Sequence, residues 1–311
     1  HDRMTTGIWM WSKHFVVTRP GSNEKIALLV LDTQGLYDLQ TSDQLTTSIF
    51  GLSTLISSYL VFNVSLQIQE DNMKSLALFA EYARVALHAN KHTTRAVVAD
   101  ASAGSDESKG NDDEGVAEEA PFQTVEFLVR DSRLRAKTLP EKLAEMKTQV
   151  AKVMDADVNE DIRTTRKQVR LCFNKVSGFY LPYPGEEVSE SDTYTGDVNQ
   201  IRPLFLEMIE AYVRKLFLEQ LNVKRIHGRE VTAHELRHFF VAYAKSFSEA
   251  AIFPKAESLL IATATANNRS FADNGLLHYT HTMDKLCGPR CSYVPSDKLN
   301  AAHTQAYAEA L

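Results

Sequence analysis

The strongest constraint on this 311-residue chain is an alternation of short apolar runs, each of strand length, with longer stretches of helical spacing. The runs at 25–31, 59–64 and 124–129 are rich in Val, Ile, Leu and Phe. Runs so continuous leave no face for water, the pattern of strands covered on both sides. Between them, 43–57 places Ile49, Leu52, Leu55 and Ile56 at helical spacing, and 70–89 does the same with Met73, Leu76, Phe79 and Ala80. Parallel strands need connections about as long as a helix. The alternation therefore predicts an α/β fold, a mostly parallel sheet with helices on both faces.

The rest of the chain extends this order. An edge strand at 14–18 ends in the turn Pro20-Gly21. Helices are expected at 140–154, 160–173, 201–221 and 233–248, with a short strand at 178–181 closed by Pro182-Tyr183-Pro184-Gly185. A helix at 255–267 restarts after Pro254, which sets the expected boundary between a first domain, 1–253, and the start of a helical domain, 254–311. From Asp100 to Ala120 there are eight acidic residues and one Lys, a net of -7, with almost nothing to bury. This acidic insert at about 100–120 reads as a disordered surface loop.

Subtracting the insert from the net charge of -6 leaves about +1 for the remainder, so no basic face is offered to nucleic acid. Three cysteines are too few for a disulfide framework and fit a reducing compartment. The most apolar stretch, 49–64, is shorter than the roughly 20 residues a bilayer requires and carries Ser53, Thr54, Ser57, Ser58 and Asn63.

Three short motifs carry candidate chemistry. Asp32-Thr33-Gln34-Gly35 follows an apolar strand, where α/β sheets bind ligands. An Asp there holds Mg²⁺ through water, and a Gly lets a backbone N–H approach a phosphate. Arg130-Asp131 ends the run at 124–129, and a carboxylate so placed accepts two hydrogen bonds from the N1 and N2 hydrogens of guanine. Thr5-Thr6-Gly7 precedes Ile8-Trp9-Met10-Trp11, and a Thr hydroxyl there completes a Mg²⁺ shell.

Together with Phe179-Tyr180-Leu181-Pro182-Tyr183-Pro184-Gly185, these motifs stand in an order that resembles the atlastins and guanylate-binding proteins, dynamin-like large GTPases. The run Gly7–Trp11 looks more like guanylate-binding proteins. Asp32–Gly35, Leu52–Ser58, Leu181–Gly185 and Ala262–Asn268 look more like atlastins. The resemblance covers nearly the whole chain apart from the acidic insert. It implies a P-loop-type GTPase domain followed by the start of a helical middle domain. It also implies that Thr5 is the catalytic switch threonine on Mg²⁺ and γ-phosphate, that Asp32 is the outer-shell Mg²⁺ residue, and that Gly35 faces the γ-phosphate. Arg130 and Asp131 would face guanine, and 176–185 would lead into the loop over the base. Implied partners are GTP and GDP, a second copy bound through the GTPase domain, and a membrane reached by segments outside this chain. The implied location is the cytoplasmic face of the endoplasmic reticulum, or the cytoplasm for a defence GTPase of guanylate-binding type.

One departure from the family is large. No Gly-x-x-x-x-Gly-Lys-Ser/Thr occurs in the 311 residues, whereas the family carries that P-loop ahead of the Thr5 region. The chain is therefore expected to be a fragment, or to come from a mis-started gene model, and as it stands to bind GTP weakly and hydrolyse none. A non-hydrolysing scaffold that keeps the fold is the alternative. His234-Glu235-Leu236-Arg237-His238 has the His-Glu-x-x-His spacing of zinc peptidases, but Val241 and Ala244 stand where the extended form needs Gly and His. Glu249 and Glu257 are weighed as third ligands without a supporting motif. Cys287 and Cys291, near His278, His281 and His303, read as ordinary cysteines in a turn, so the expectation is no bound metal at either place.

Overall fold

A computed structural model of the chain describes residues 5–19, 21–35, 42–78, 120–155, 160–226, 228–250, 254–288, 291 and 293–311. The acidic insert and the later part of the helix expected at 70–89, with Phe79 and Ala80, lie outside the described residues.

Four short strands come first: β1 (Ile8–Met10), β2 (Phe15–Thr18), β3 (Lys25–Leu28) and β4 (Leu31–Thr33). β1 pairs with β4 and β2 with β3, both antiparallel. Helix α1 (Asp43–Ile56) starts on Ser42, whose hydroxyl accepts from the Leu45 N–H. It leads to β5 (Tyr59–Ser65), then to α2, helical over 70–78. β6 (Phe122–Arg130), α3 (Leu139–Asp155), α4 (Glu160–Cys172) and β7 (Phe173–Tyr180) follow. β5, β6 and β7 form a parallel three-stranded sheet with β6 in the middle, Phe62 opposite Phe127 and Phe127 opposite Gly178.

β6 is covered on both faces as its sequence requires. Phe122, Thr124 and Glu126 on one face and Val125, Phe127 and Val129 on the other are all at most 4 % exposed. Helix α3 sits hard against the sheet because β7 carries Gly178. A methyl group there would come within 2.5 Å of the Val150 side chain, a β-branched group with little room to yield.

Two strand expectations are corrected. The run at 25–31 is not one strand buried on both faces. It breaks into β3 and β4, and Val30 is 40 % exposed. Among the described residues β3 and β4 each have a single strand neighbour, and the cleft described below borders them, so part of their apolar surface meets open space. β5 likewise buries Phe62 and Val64 while Val61 and Asn63 are exposed where they border the same cleft; among the described residues β6 is its one strand partner.

The second half of the chain is mostly helical. The short helix α5 (Glu186–Ser189) precedes α6 (Pro203–Arg214), which continues into a π-helical turn, Lys215–Glu219. The two-residue strands β8 (Arg225–Ile226) and β9 (Arg229–Glu230) form a hairpin before α7 (Ala233–Glu249), α8 (Ala256–Cys287) and α9 (Ser296–Ala310). α7 packs on α1 and on α8. Tyr243 and Thr263 share a buried hydrogen bond of 3.0 Å across the α7–α8 contact. α8 is far longer than the helix expected at 255–267, and α9 falls in the helical stretch expected over 254–311, where the sequence reading gives it no bounds of its own. Among the described residues no helix is long and apolar enough to cross a membrane.

Lys224 is a buried cation just before β8, donating from Nζ to the Ser57 carbonyl at 2.9 Å, at the end of α1. Burial pushes its pKa down from 10.5 to about 7. Between those values the unfolded chain holds a proton that the folded chain has released, so stability rises with pH through that window. The slope is at most about 1.4 kcal/mol per pH unit. Urea unfolding at neutral and at alkaline pH is expected to show the rise in the parent and a flatter line in Lys224→Met. Parallel lines for the two proteins would remove Lys224 as its source.

Candidate functional site

The site begins at Gly7, whose φ of +74° suits glycine and turns the chain into β1. Gly7 is tied to Gln34 twice. Its N–H donates to Gln34 Oε1 at 3.1 Å, and its carbonyl accepts from the Gln34 N–H at 2.9 Å. Gln34 is buried, so this double tie fixes the loop before β1 against the loop after β4. Thr5 and Asp32 meet as a result: Thr5 Oγ1 donates to Asp32 Oδ2 at 2.7 Å. Gly35, just beyond, has nothing among the described residues within 4 Å of where a side chain would begin.

Arg130 ends β6 beside Ser65, the last residue of β5. The Leu66 N–H donates to the Arg130 carbonyl at 2.8 Å. Asp131 follows with φ of 56°, a left-handed backbone that Asp adopts more readily than most residues. Its Oδ2 accepts a long hydrogen bond, 3.4 Å, from Ser65 Oγ. The end of β7 reaches the same corner: Ser132 donates to the Leu181 carbonyl through both its N–H and its hydroxyl. The segment Leu181–Gly185 leaves the sheet there.

A cleft of about 1680 Å³ opens between the β3–β4 strands and β5. Thr5, Asp32, Gly35 and Arg130 line it, which brings four of the five sequence candidates to one cavity. Asp131 stands one residue outside its lining. Thr5 and Asp32 supply two hard oxygen donors in contact, a set suited to Mg²⁺ alongside phosphate and water oxygens.

Sequence reasoning missed two further groups. Lys224 lines the cleft, and no motif marks it. Glu126 is fully buried in β6, paired with Lys215 and accepting hydrogen bonds from Tyr59 at 2.6 Å and Ser177 at 3.1 Å. Burial first, and then the nearby Glu126 carboxylate, raise the Tyr59 and Tyr212 hydroxyls above the usual tyrosine range. A single charged residue inside an apolar strand was the signal available for Glu126.

The remaining candidates separate. Cys287 and Cys291 are exposed free thiols. His278 contacts Glu309 and His303 contacts Tyr279, and none of these histidines joins a thiol in a metal-sized group among the described residues. Glu235 serves its own helix, forming a capping box with Thr232 and a 2.7 Å ion pair with Arg229. Neither Glu249 nor Glu257 joins His234 and His238, and the acid beside them is Asp273.

A parallel sheet under helices, with Arg130 and Asp131 at the carboxyl end of its central strand, defines the class as an α/β domain built like ligand-binding open-sheet proteins. Residues 1–225 match the N-terminal domain of guanylate-binding proteins, and the chain belongs to that family, together with the atlastins. It is 30% identical to Atlastin-1 of Bos taurus, with 100% of this chain and 51% of the relative covered. It is 32% identical to Atlastin-3 of Homo sapiens, covering 98% of this chain and 51% of that protein. For Atlastin-2 of Xenopus laevis the identity is 31%, over 97% of this chain and 48% of the relative. The chain thus spans about half the length of the curated relatives it matches.

Proposed function

We propose that this chain is the nucleotide-binding part of a dynamin-like large GTPase that hydrolyses GTP to GDP and acts as a homodimer formed through this domain. The contact between Thr5 Oγ1 and Asp32 Oδ2 carries the reading, because it joins the two residues expected at Mg²⁺ on the wall of a cleft that also holds Gly35 and Arg130. When bound, Mg²⁺ would neutralise charge on the β- and γ-phosphates. Thr5 would hold it with its hydroxyl, and Asp32 would orient its water shell; in the free protein Asp32 accepts the Thr5 hydroxyl hydrogen bond instead. The Gly35 N–H would approach the γ-phosphate, and Arg130 and Asp131 would take the base. Similarity to atlastins supports membrane tethering and fusion at the endoplasmic reticulum as the work done with that cycle. The boundary near Pro254 would divide the GTPase domain from the helical segment.

A second reading is a scaffold that keeps the fold without turnover. The full-length gene product distinguishes the two. GTP turnover that depends on Mg²⁺ is expected. Asp32→Asn should raise the Mg²⁺ concentration for half-maximal rate roughly 10- to 100-fold, as losses around a metal's ligands do. A protein that turns over no GTP is the scaffold, and an unchanged Mg²⁺ requirement removes Asp32 from the site.

A further inference from the structure

We infer that His234, His238 and Asp273 form a binding site for one first-row divalent transition-metal ion, joining α7 to α8. The two histidines are four residues apart on α7 and so share one helical face. Asp273 lies on α8, 35 residues beyond His238 in the chain. Both imidazoles aim Nε2 at the same oxygen of Asp273, His238 at 2.8 Å and His234 at 3.5 Å. The three ligand atoms all lie within 4.8 Å of one another.

These separations suit a metal. Ligands about 2.0–2.2 Å from a tetrahedral ion stand roughly 3.3 Å from one another. The two histidine–aspartate distances fall on either side of that value. Only the imidazole pair has to close, by about 1.5 Å at most on that geometry, and the half-exposed His234 ring has room to turn. Two imidazoles and one carboxylate make a donor set for zinc and its neighbours in the first row, not for Ca²⁺ or Mg²⁺. The metal takes the Nε2 lone pairs. The proton that His238 shares with Asp273 leaves to solvent, and each neutral ring keeps its N–H at Nδ1. Water completes the shell on the exposed side.

The third ligand comes from another helix, and for that reason the failure of the extended peptidase pattern did not exclude metal. The same structure argues against peptidase chemistry. Glu235, which would be the general base, is 3 % exposed. One of its oxygens is held by Arg229, and the other accepts the Thr232 N–H at 2.8 Å. The ion is therefore a clasp between the helices on either side of Pro254, not a hydrolytic centre. This inference does not depend on the nucleotide reading.

The test is equilibrium dialysis of the chain against zinc followed by elemental analysis, with thermal unfolding in parallel. About one zinc per chain is expected, retained when Cys287→Ser and Cys291→Ser are introduced together. Asp273→Asn and His234→Ala should each weaken binding at least roughly tenfold. The His234 side chain is 53 % exposed, so its removal leaves the packing intact and a loss of zinc there is a loss of a ligand. Saturating zinc should raise the unfolding midpoint of the parent and not that of His234→Ala. No retained zinc, zinc lost with the two cysteines, or an affinity indifferent to both His234→Ala and Asp273→Asn would each overturn the site.

Discussion

Glu126→Ala is expected to destabilise the folded chain by about 3–5 kcal/mol, a large part of the roughly 5–15 kcal/mol a domain usually has. The Glu126 carboxylate is fully buried in the central strand, and three groups depend on it: the Lys215 ammonium and the hydroxyls of Tyr59 and Ser177. Removing it strands a mostly buried cation, 19 % exposed, and takes the acceptor from two part-buried hydroxyls, of which Tyr59 keeps a long 3.5 Å contact to Gln220. The Phe179 ring under Lys215, 5.3 Å from Nζ, is a weak substitute for a carboxylate. Replacing both partners, as Glu126→Leu with Lys215→Met, should restore most of the loss, because no buried charge is left unpaired. Urea unfolding of the single and double variants measures this. A single variant within about 1 kcal/mol of the parent would mean that the pair contributes no more than an exposed ion pair does.

The second large effect concerns base choice in the full-length protein. Asp131→Asn is expected to weaken GTP by about 2–4 kcal/mol, roughly thirtyfold to a thousandfold, and to improve binding of xanthosine triphosphate. The carboxylate presents two acceptors to the N1 and N2 hydrogens of guanine, whereas an amide presents one acceptor and one donor. Xanthine offers an oxygen where guanine has its amino group, which is what that new donor requires. Asp131 is half-buried, and among the described residues its side chain has only the long Ser65 contact, which leaves acceptor capacity for a base. Competition between the two nucleotides for parent and variant gives the answer. An unchanged preference for GTP would make Asp131 only the residue that turns the chain off β6.

The sequence pattern was most informative where local and long-range demands agree. β6 was legible because its run is mostly apolar, with a wholly apolar face of Val125, Phe127 and Val129, and α7 because an apolar stripe follows a Thr232 cap. The run at 25–31 misled because apolar composition reports a capacity for burial, and among the described residues these strands have one neighbour each. β7 begins at Phe173, well before the expected 178, because Asn174, Lys175 and Ser177 dilute its apolar signal. α9 has good helix formers and one buried residue, Ala306, so its periodicity was too faint to read. In the site, the motifs around Thr5 and Asp32 were legible by resemblance, but their contact rests on Gln34 bridging to Gly7, a tertiary fact. Asp273 had no local signal at all, since its relation to His238 exists only once α8 folds back along α7.

The length of α8 has a mechanical consequence. Its 32 residues make a rod of about 48 Å, and α7 holds it through the stretch from Thr263 to Asp273. The part beyond Asp273 projects roughly 20 Å and carries α9 on it. A tilt of about 10° at the α7 contact would sweep that end through nearly 4 Å, more than the span of a hydrogen bond. α8 is thus a pointer arm with its bearing at the His238–Asp273 contact, and whatever tightens or loosens that bearing is magnified at the tip.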